Sequence, residues 1–263
     1  MNISKAQIKH LRSLKLKKFR EKYGEFVIEG DKLLREALSE QADAIRSIYA
    51  LPAWLEDLPE KLLAKNRAAI YPVSRAELER ISTLSTPNKA LAILQIPPAR
   101  PFAPPAEGWS FYLDGLRDPG NVGTIWRIAD WFGFRQMIVS PDTADLYNPK
   151  VIQASMGAFL RIPTAVASRE ELSALDPHKH PLWGADMEGL PYDSPQKTDA
   201  WLPPPSGLLV IGSEARGLSP SIRSLLSGRV SIPKAPHSRA ESLNASVAAG
   251  ILAGKIASFT QAK

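Results

Sequence analysis

The chain contains no cysteine. Disulfides, thiolate metal sites and a cysteine nucleophile are therefore excluded together. Its four histidines are scattered, without the paired spacing of a zinc site, so no metal is expected. No apolar run approaches the ~20 residues of a bilayer-spanning helix, and no membrane partner is expected. Two familiar glycine signatures are also missing. Gly120-x-x-Gly123 is not the dinucleotide pattern G-x-G-x-x-G, and Gly212-x4-Gly217 lacks the following Lys-Ser/Thr of a phosphate loop. No internal repeat is evident. What remains is a chain of 263 residues, 44% hydrophobic, long enough for one or two domains with their own cores. The expected location is the cytoplasm.

Acidic residues are scarce in one place. The first 22 residues hold eight Lys and Arg against the single acid Glu21, while the whole chain is only +6. The basic excess is thus an N-terminal feature, and the remainder is slightly acidic. A cluster of this kind suits a polyanion such as structured RNA, with Lys15, Lys17, Lys18 and Arg20 as contact candidates. A merely solvated basic helix and an organelle-targeting segment are the competing explanations.

Alternating short elements follow. Ser4 can cap a helix to about Arg12, and a second short helix covers Lys15–Lys22. Residues 25–29 (EFVIE) read as a strand, and Gly30 turns into a helix over Lys32–Ser39 with Leu33, Leu34, Ala37 and Leu38 inward. Strands are expected at Ser47–Leu51, Tyr71–Val73 and Ala90–Ile96. Residues 61–66 are ambiguous. The run Ser74-Arg75-Ala76-Glu77 is a capping-box pattern for a helix to Ile81. The first ~95 residues therefore predict a small α/β sandwich. Residues 97–108 carry five prolines in twelve positions and predict an extended, semi-rigid linker.

Beyond the linker, strands are predicted near Phe111–Asp114, Gln136–Val139, Thr164–Val166, Leu182–Ala185, Leu208–Ile211 and Arg229–Ile232. Helices are predicted near Asn121–Phe132, Pro149–Phe159, Arg169–Leu175, Pro220–Leu226 and Leu243–Ser258, with Asp186–Pro205 as loop. The aliphatic run Leu208–Ile211 stops at Gly212, as a buried parallel strand does. After the strand Arg229–Ile232 and a polar loop, Ser242-Leu243-Asn244 opens a helix whose next residues are mostly small. A strand, a glycine turn with a carboxylate, a second strand and a small-residue helix make a good wall for a small ligand at strand C-terminal ends. Upstream, Ile125, Ile128, Ala129 and Phe132 form one apolar helical face, with Arg127 off it, Asn121 placed as a cap and Gly133 as the stop.

Three stretches, DPGNVGTIWRIADWFGF, VIGSEARGL and IP…ESLNASVAAGI, resemble in order and spacing the three motifs of the SpoU (TrmH-like) branch of the SPOUT RNA methyltransferases. KVIQASMGAFLRIP resembles the family's middle segment, and the likeness spans about Phe111–Ser258. It implies an α/β domain with a parallel sheet and trefoil knot, residues 109–263, that binds S-adenosyl-L-methionine, forms homodimers and methylates a ribose 2′-hydroxyl in RNA. FVIEGDKLLREAL and the basic lead-in resemble the L30e-like substrate-binding domain that precedes many SpoU enzymes, here residues 1–96. The extra domain makes ribosomal RNA the expected substrate ahead of transfer RNA. The rival is an RNA-binding or ribosome-assembly protein that kept the fold without catalysis.

The same resemblance assigns residues. Arg127, Asn121, Glu214, Ser242 and Asn244 match the polar positions of the three motifs. Gly212, Ile232 and Leu243 match positions that enclose the cofactor, with Ala185 and Asp186 as further cofactor candidates at a strand end. Each has an ordinary alternative: a helix cap for Asn121 and Asn244, a salt bridge to Asp130 for Arg127, core packing for Ile232 and Leu243. An arginine that never loses its proton is ill suited as a base. Holding phosphate and stabilising a forming alkoxide is the simpler role for Arg127, with Glu214 as an alternative proton acceptor or as an orienter. One departure stands out. Eight residues, KAPHSRAE, separate Pro233 from Ser242 where the family more often has about six with a methionine and a glycine, so the cofactor loop is expected to be reshaped.

Overall fold

The structure, a computed structural model, describes residues 3–64, 68–98, 101–193 and 201–260. It divides into two compact units, one of residues 1–98 and 145–161 and the other of 99–144 and 162–263.

The first unit begins with α1 (Lys5–Ser13), capped by Ser4 in a capping box with Gln7, and α2 (Lys17–Tyr23), ended by Gly24 in the left-handed region. There follow β1 (Glu25–Glu29), α3 (Asp31–Glu40), β2 (Ile45–Ala50), α4 (Pro52–Glu56), α5 (Glu60–Ala64), β3 (Ala69–Pro72), α6 (Arg75–Ile81) and β4 (Ala90–Gln95). The sheet order is β1-β4-β2-β3, antiparallel except for the β2–β3 pair. Both faces are covered. Phe26, Ile28, Ala92 and Leu94 belong to one buried cluster, and Val27, Leu91 and Ile93 to another. That two-sided burial explains why these strands read as continuous apolar runs rather than alternating ones. The helix α4 went unforeseen, although Pro52 stands at its first turn, where proline is favoured. The ambiguous stretch resolves as α5 up to Ala64; its residues 65 and 66 lie outside the described residues.

The division of the chain differs from a simple linear one. Residues 145–161, expected in the second domain, pack with the first unit through α8 (Pro149–Ser155) and a short 3-10 turn at Ala158–Leu160. Ile152 and Leu160 complete the cluster around Phe26, whose ring lies 4.9 Å from that of Tyr147. An apolar period shows that a segment has a buried face but not which sheet that face meets.

The second unit comprises β5 (Trp109–Asp114), α7 (Pro119–Phe132), β6 (Met137–Val139), β7 (Thr164–Val166), α9 (Arg169–Ser173), β8 (Leu182–Pro191), β9 (Gly207–Gly212), α10 (Pro220–Arg223), β10 (Gly228–Ser231) and α11 (Ala245–Thr260). Its six strands run in the order β10-β8-β9-β5-β6-β7, and every pairing is parallel. The proline-rich connection is not free along its whole length, because Phe102 packs against the cluster of Tyr112, Ile138 and Val210; residues 99 and 100 lie outside the described residues. α7 buries Val122, Ile125, Trp126 and Ala129. Each large apolar side chain so buried contributes about 1.5–3 kcal/mol. The small face of α11 is used within the chain: a Cβ on Gly250 would come 3.5 Å from Ile128, and one on Gly254 3.5 Å from Phe132. No helix among the described residues is long and apolar enough to cross a membrane.

Candidate active site and basic face

Because β10, β8, β9 and β5 are neighbours running one way, their C-terminal ends share one edge of the sheet. Asp114 ends β5 opposite Gly212 at the end of β9. Ala185 and Asp186 follow Gly184, the last residue of β8 paired to β9, and Ile232 follows β10. Four of the five cofactor candidates therefore converge where ligands of parallel sheets bind. The stretch expected as loop from Asp186 is only partly so. Residues 185–189 bulge out of the ladder, and β8 resumes pairing with β10 at Leu190 and Pro191.

Gly212 owes its identity to its own turn. A Cβ there would fall 2.3 Å from the carbonyl carbon of Gly217 and 2.5 Å from the amide nitrogen of Leu218. The loop it opens closes on itself, with Ser213 N donating to Gly217 O at 3.0 Å and Gly217 N to Ser213 O at 2.8 Å. Gly217 has φ +65°, which favours glycine. Asp114, buried and absent from the sequence-based set, anchors the far side. It accepts from Ser219 N at 2.6 Å and from Ser219 Oγ at 3.2 Å. Beside it on β5, burial and then the Asp114 carboxylate push the Tyr112 phenol well above its ordinary range, so this side chain stays neutral.

The loop holds Glu214 at the surface, where Glu214 Oε1 accepts from Asn121 Nδ2 at 2.6 Å. Asn121 is not the cap of its helix. Asp118 is, accepting from Asn121 N at 2.7 Å, with Pro119 as the first helical residue. The Asp-Pro pair was the legible signal, since proline is favoured at that position. The Asn121 side chain is thereby released from capping and joins a motif-one position to a motif-two position.

Asn244, in contrast, does cap α11. Its Oδ1 accepts from Ser246 N at 2.9 Å, from Val247 N at 3.3 Å and from Ser246 Oγ at 2.7 Å. Ser242 and Leu243 precede it, both exposed. Arg127 is exposed on α7. Six residues from Asn121, it lies about 120° around the helix at 3.6 residues per turn. The extended loop 234–241 is largely exposed, with one turn closed by Ser238 N donating to Ala235 O at 2.9 Å.

Asp186 is the most telling of the cofactor candidates. Its side chain is 6% exposed and lies 2.9 Å from Arg223 Nη2 and 3.7 Å from Arg229 Nη1. Both guanidinium groups face Oδ2, while Oδ1 accepts from Glu188 N at 3.0 Å. A buried carboxylate at a strand end, with Ile232 just past the neighbouring β10, fits a ligand with donor hydroxyls or amines such as S-adenosylmethionine.

In the first unit Lys15, Lys17 and Lys18 are exposed. Lys15 Nζ donates to Ser82 O at 3.2 Å and Lys17 pairs with Glu21 at 3.6 Å. Arg20 corrects the sequence-based set of RNA contacts. It is 3% exposed, donates to Leu14 O at 2.7 Å and Lys15 O at 2.9 Å, and pairs with Asp145. Its position on the inward side of α2 makes it an internal tether.

Residues 109–254 match the family model of the SpoU rRNA Methylase family, and residues 5–92 that of the MRM3-like substrate binding domain. The chain belongs to the SpoU rRNA methylase family. It is 26% identical to the 23S rRNA (guanosine(2553)-2′-O)-methyltransferase RlmP of Bacillus subtilis, over 94% of each chain. Among solved structures, a TrmH-family protein from Porphyromonas gingivalis superposes with a TM-score of 0.84 at 34% identity, over 99% of each chain. The AdoMet-bound rRNA methyltransferase from Sinorhizobium meliloti gives 0.83 at 25% identity, over 97% of each. The SpoU match thus spans both halves of the Asn121–Glu214 contact and all of the sheet edge described above.

Proposed function

We propose that this SpoU protein transfers the methyl group of S-adenosylmethionine to a ribose 2′-hydroxyl of ribosomal RNA. The observation that carries the proposal is the 2.6 Å bond from Asn121 to Glu214, which ties the first motif to the loop that borders the sheet edge. The preference for ribosomal over transfer RNA is supported by the substrate named for RlmP and by the substrate-binding module at residues 5–92.

Gly212, Ala185, Asp186, Ile232 and Leu243 hold the cofactor in this reading, which when bound supplies an electrophilic methyl on a sulfonium. The rest is positioning and electrostatics by the chain. Glu214 orients the Asn121 amide. Arg127, exposed and always charged, grips an RNA phosphate and stabilises negative charge forming on the ribose oxygen as the hydroxyl proton passes to water. Ser242 and Asn244 complete the polar side, with Asn244 also ordering α11. Lys15, Lys17 and Lys18 bind phosphates.

The proposal extends to a homodimer in the cytoplasm, and to the trefoil knot carried by the family. Support for the dimer comes from the outer faces of α7 and α11. Trp131 is 83% exposed there, with Val247 at 49% and Phe259 at 37%. An exposed indole of that size can bury a large apolar area against a partner.

The test is transfer of labelled methyl from S-adenosylmethionine to ribosomal RNA, followed by alkaline hydrolysis. Label in alkali-resistant dinucleotides is the expected result. No cofactor binding by calorimetry, or label confined to bases, would overturn it.

A further inference from the structure

The short helix α2 of the first unit carries more than charge. On α2, Phe19 and Tyr23 stand at i and i+4, their rings nearly parallel at 11° with centroids 6.2 Å apart. Tyr23 is 42% exposed and Leu16, at the start of the helix, 53%. Lys18 Nζ lies 5.1 Å from the Phe19 centroid and Lys22 Nζ 5.4 Å from that of Tyr23. His10 supports Tyr23 from α1, edge-on at 4.7 Å, and is itself held by Glu25 at 2.7 Å.

This surface is also fixed in place. The buried Arg20 ties α2 to the carbonyls of Leu14 and Lys15 and to Asp145, and Gly24 at φ +63° ends the helix directly after Tyr23. Neither ring is fully buried. Two ordered aromatic rings at the surface, flanked by ammonium groups and lying within the most basic stretch of the chain, match the chemistry of an unstacked nucleotide. The base finds π-faces and the phosphate finds cations.

We propose that Phe19, Tyr23, Lys18 and Lys22 form a stacking platform for an unpaired nucleotide of the RNA substrate. This rests on the reading of the protein as an RNA methyltransferase and adds that the first unit engages a loop, bulge or single-stranded stretch rather than a uniform duplex. A duplex keeps its base faces covered and would meet only the lysines.

Binding of the full chain to oligouridylate and to a mixed-sequence RNA duplex, each over a salt series, separates these contributions. Tyr23→Leu keeps apolar bulk and removes the ring, whereas Tyr23→Phe keeps the ring. Tyr23→Leu is expected to weaken oligouridylate binding by about 10-fold with an unchanged salt slope and to leave duplex binding alone, with Tyr23→Phe close to wild type. Lys18→Ala with Lys22→Ala is expected to flatten the slope by up to ~0.7 per lost contact on the single strand. Equal affinities of Tyr23→Leu and wild type for oligouridylate, or equal losses on strand and duplex, would overturn the platform. So would a loss confined to phosphatidylglycerol vesicles, which would mark α2 as a lipid-facing helix. Cofactor binding, measured in parallel, reports on the methyltransferase reading independently, because none of these substitutions lies in the second unit.

Discussion

At the residue scale, Arg127 and Arg20 show how little a residue type says without its surroundings. Arg127 is exposed, so its removal should cost within ~0.5 kcal/mol of stability. If it stabilises charge in the transition state, Arg127→Ala should bind cofactor normally and lose ~10²–10³-fold in single-turnover methylation. Arg127→Lys should recover part of that loss if the role is a point charge, and little if it is a planar clamp on phosphate. Arg20→Ala should do the opposite. It strips a buried ion pair and should cost about 3 kcal/mol in chemical denaturation, leaving cofactor affinity intact. An unchanged denaturation midpoint for Arg20→Ala would remove the guanidinium from the fold's internal ties.

At the scale of elements, the loop from Gly212 to Gly217 and the start of α3 each turn on backbone geometry and local bonds. Gly212→Ala places a Cβ where the backbone of Gly217 already lies, so the loop that presents Glu214 must move. Both cofactor affinity and methylation should drop sharply with a modest fall in melting temperature. Glu214→Ala, at the surface, should leave cofactor affinity in place and lower the methylation rate alone. At α3, Arg35 and then Trp54 hold the Asp31 carboxyl below its ordinary value, through bonds of 2.6 Å and 2.7 Å. A carboxylate depressed in the folded state contributes stability that is present above the unfolded pKa and is lost as pH falls through the folded one. Thermal melts across the acid range should therefore show wild type losing stability faster than Asp31→Asn as pH drops. Parallel curves for the two proteins would remove Asp31 from that account.

At the scale of the whole molecule, charge and apolar surface make separate predictions. Changing Lys15, Lys17 and Lys18 together to Ala should weaken RNA binding broadly and flatten its salt dependence by up to ~0.9 per contact on a duplex, with cofactor affinity unchanged. An unaltered slope would mean that these lysines face only solvent. The dimer proposal depends on the exposed apolar side chains of α7 and α11, because the small residues Gly250 and Gly254 face Ile128 and Phe132 of the same chain. Light scattering should give a dimer for the wild type and a shift toward monomer for Trp131→Glu.

Much of this was determined by the sequence alone. Strand β1 and the two capping boxes at Ser4 and Ser74 stand where local pattern puts them, because hydrogen bonds between residues three apart are a local matter. The order of motifs was equally legible, and with it the family. Tertiary structure alone decided four other things. It gave residues 145–161 to the first unit, since a periodic apolar face fits any sheet that lacks a cover. It buried Arg20, whose charge in sequence looks like that of its exposed neighbours. It separated the roles of Asn121 and Asn244: Asp118 took the capping position before Pro119, leaving the Asn121 amide to reach a residue 93 positions away, while Asn244 caps α11. And it brought Asp114 opposite Gly212, a parallel pairing of distant strands that local pattern cannot encode, because register is set by the packing of both faces of the sheet.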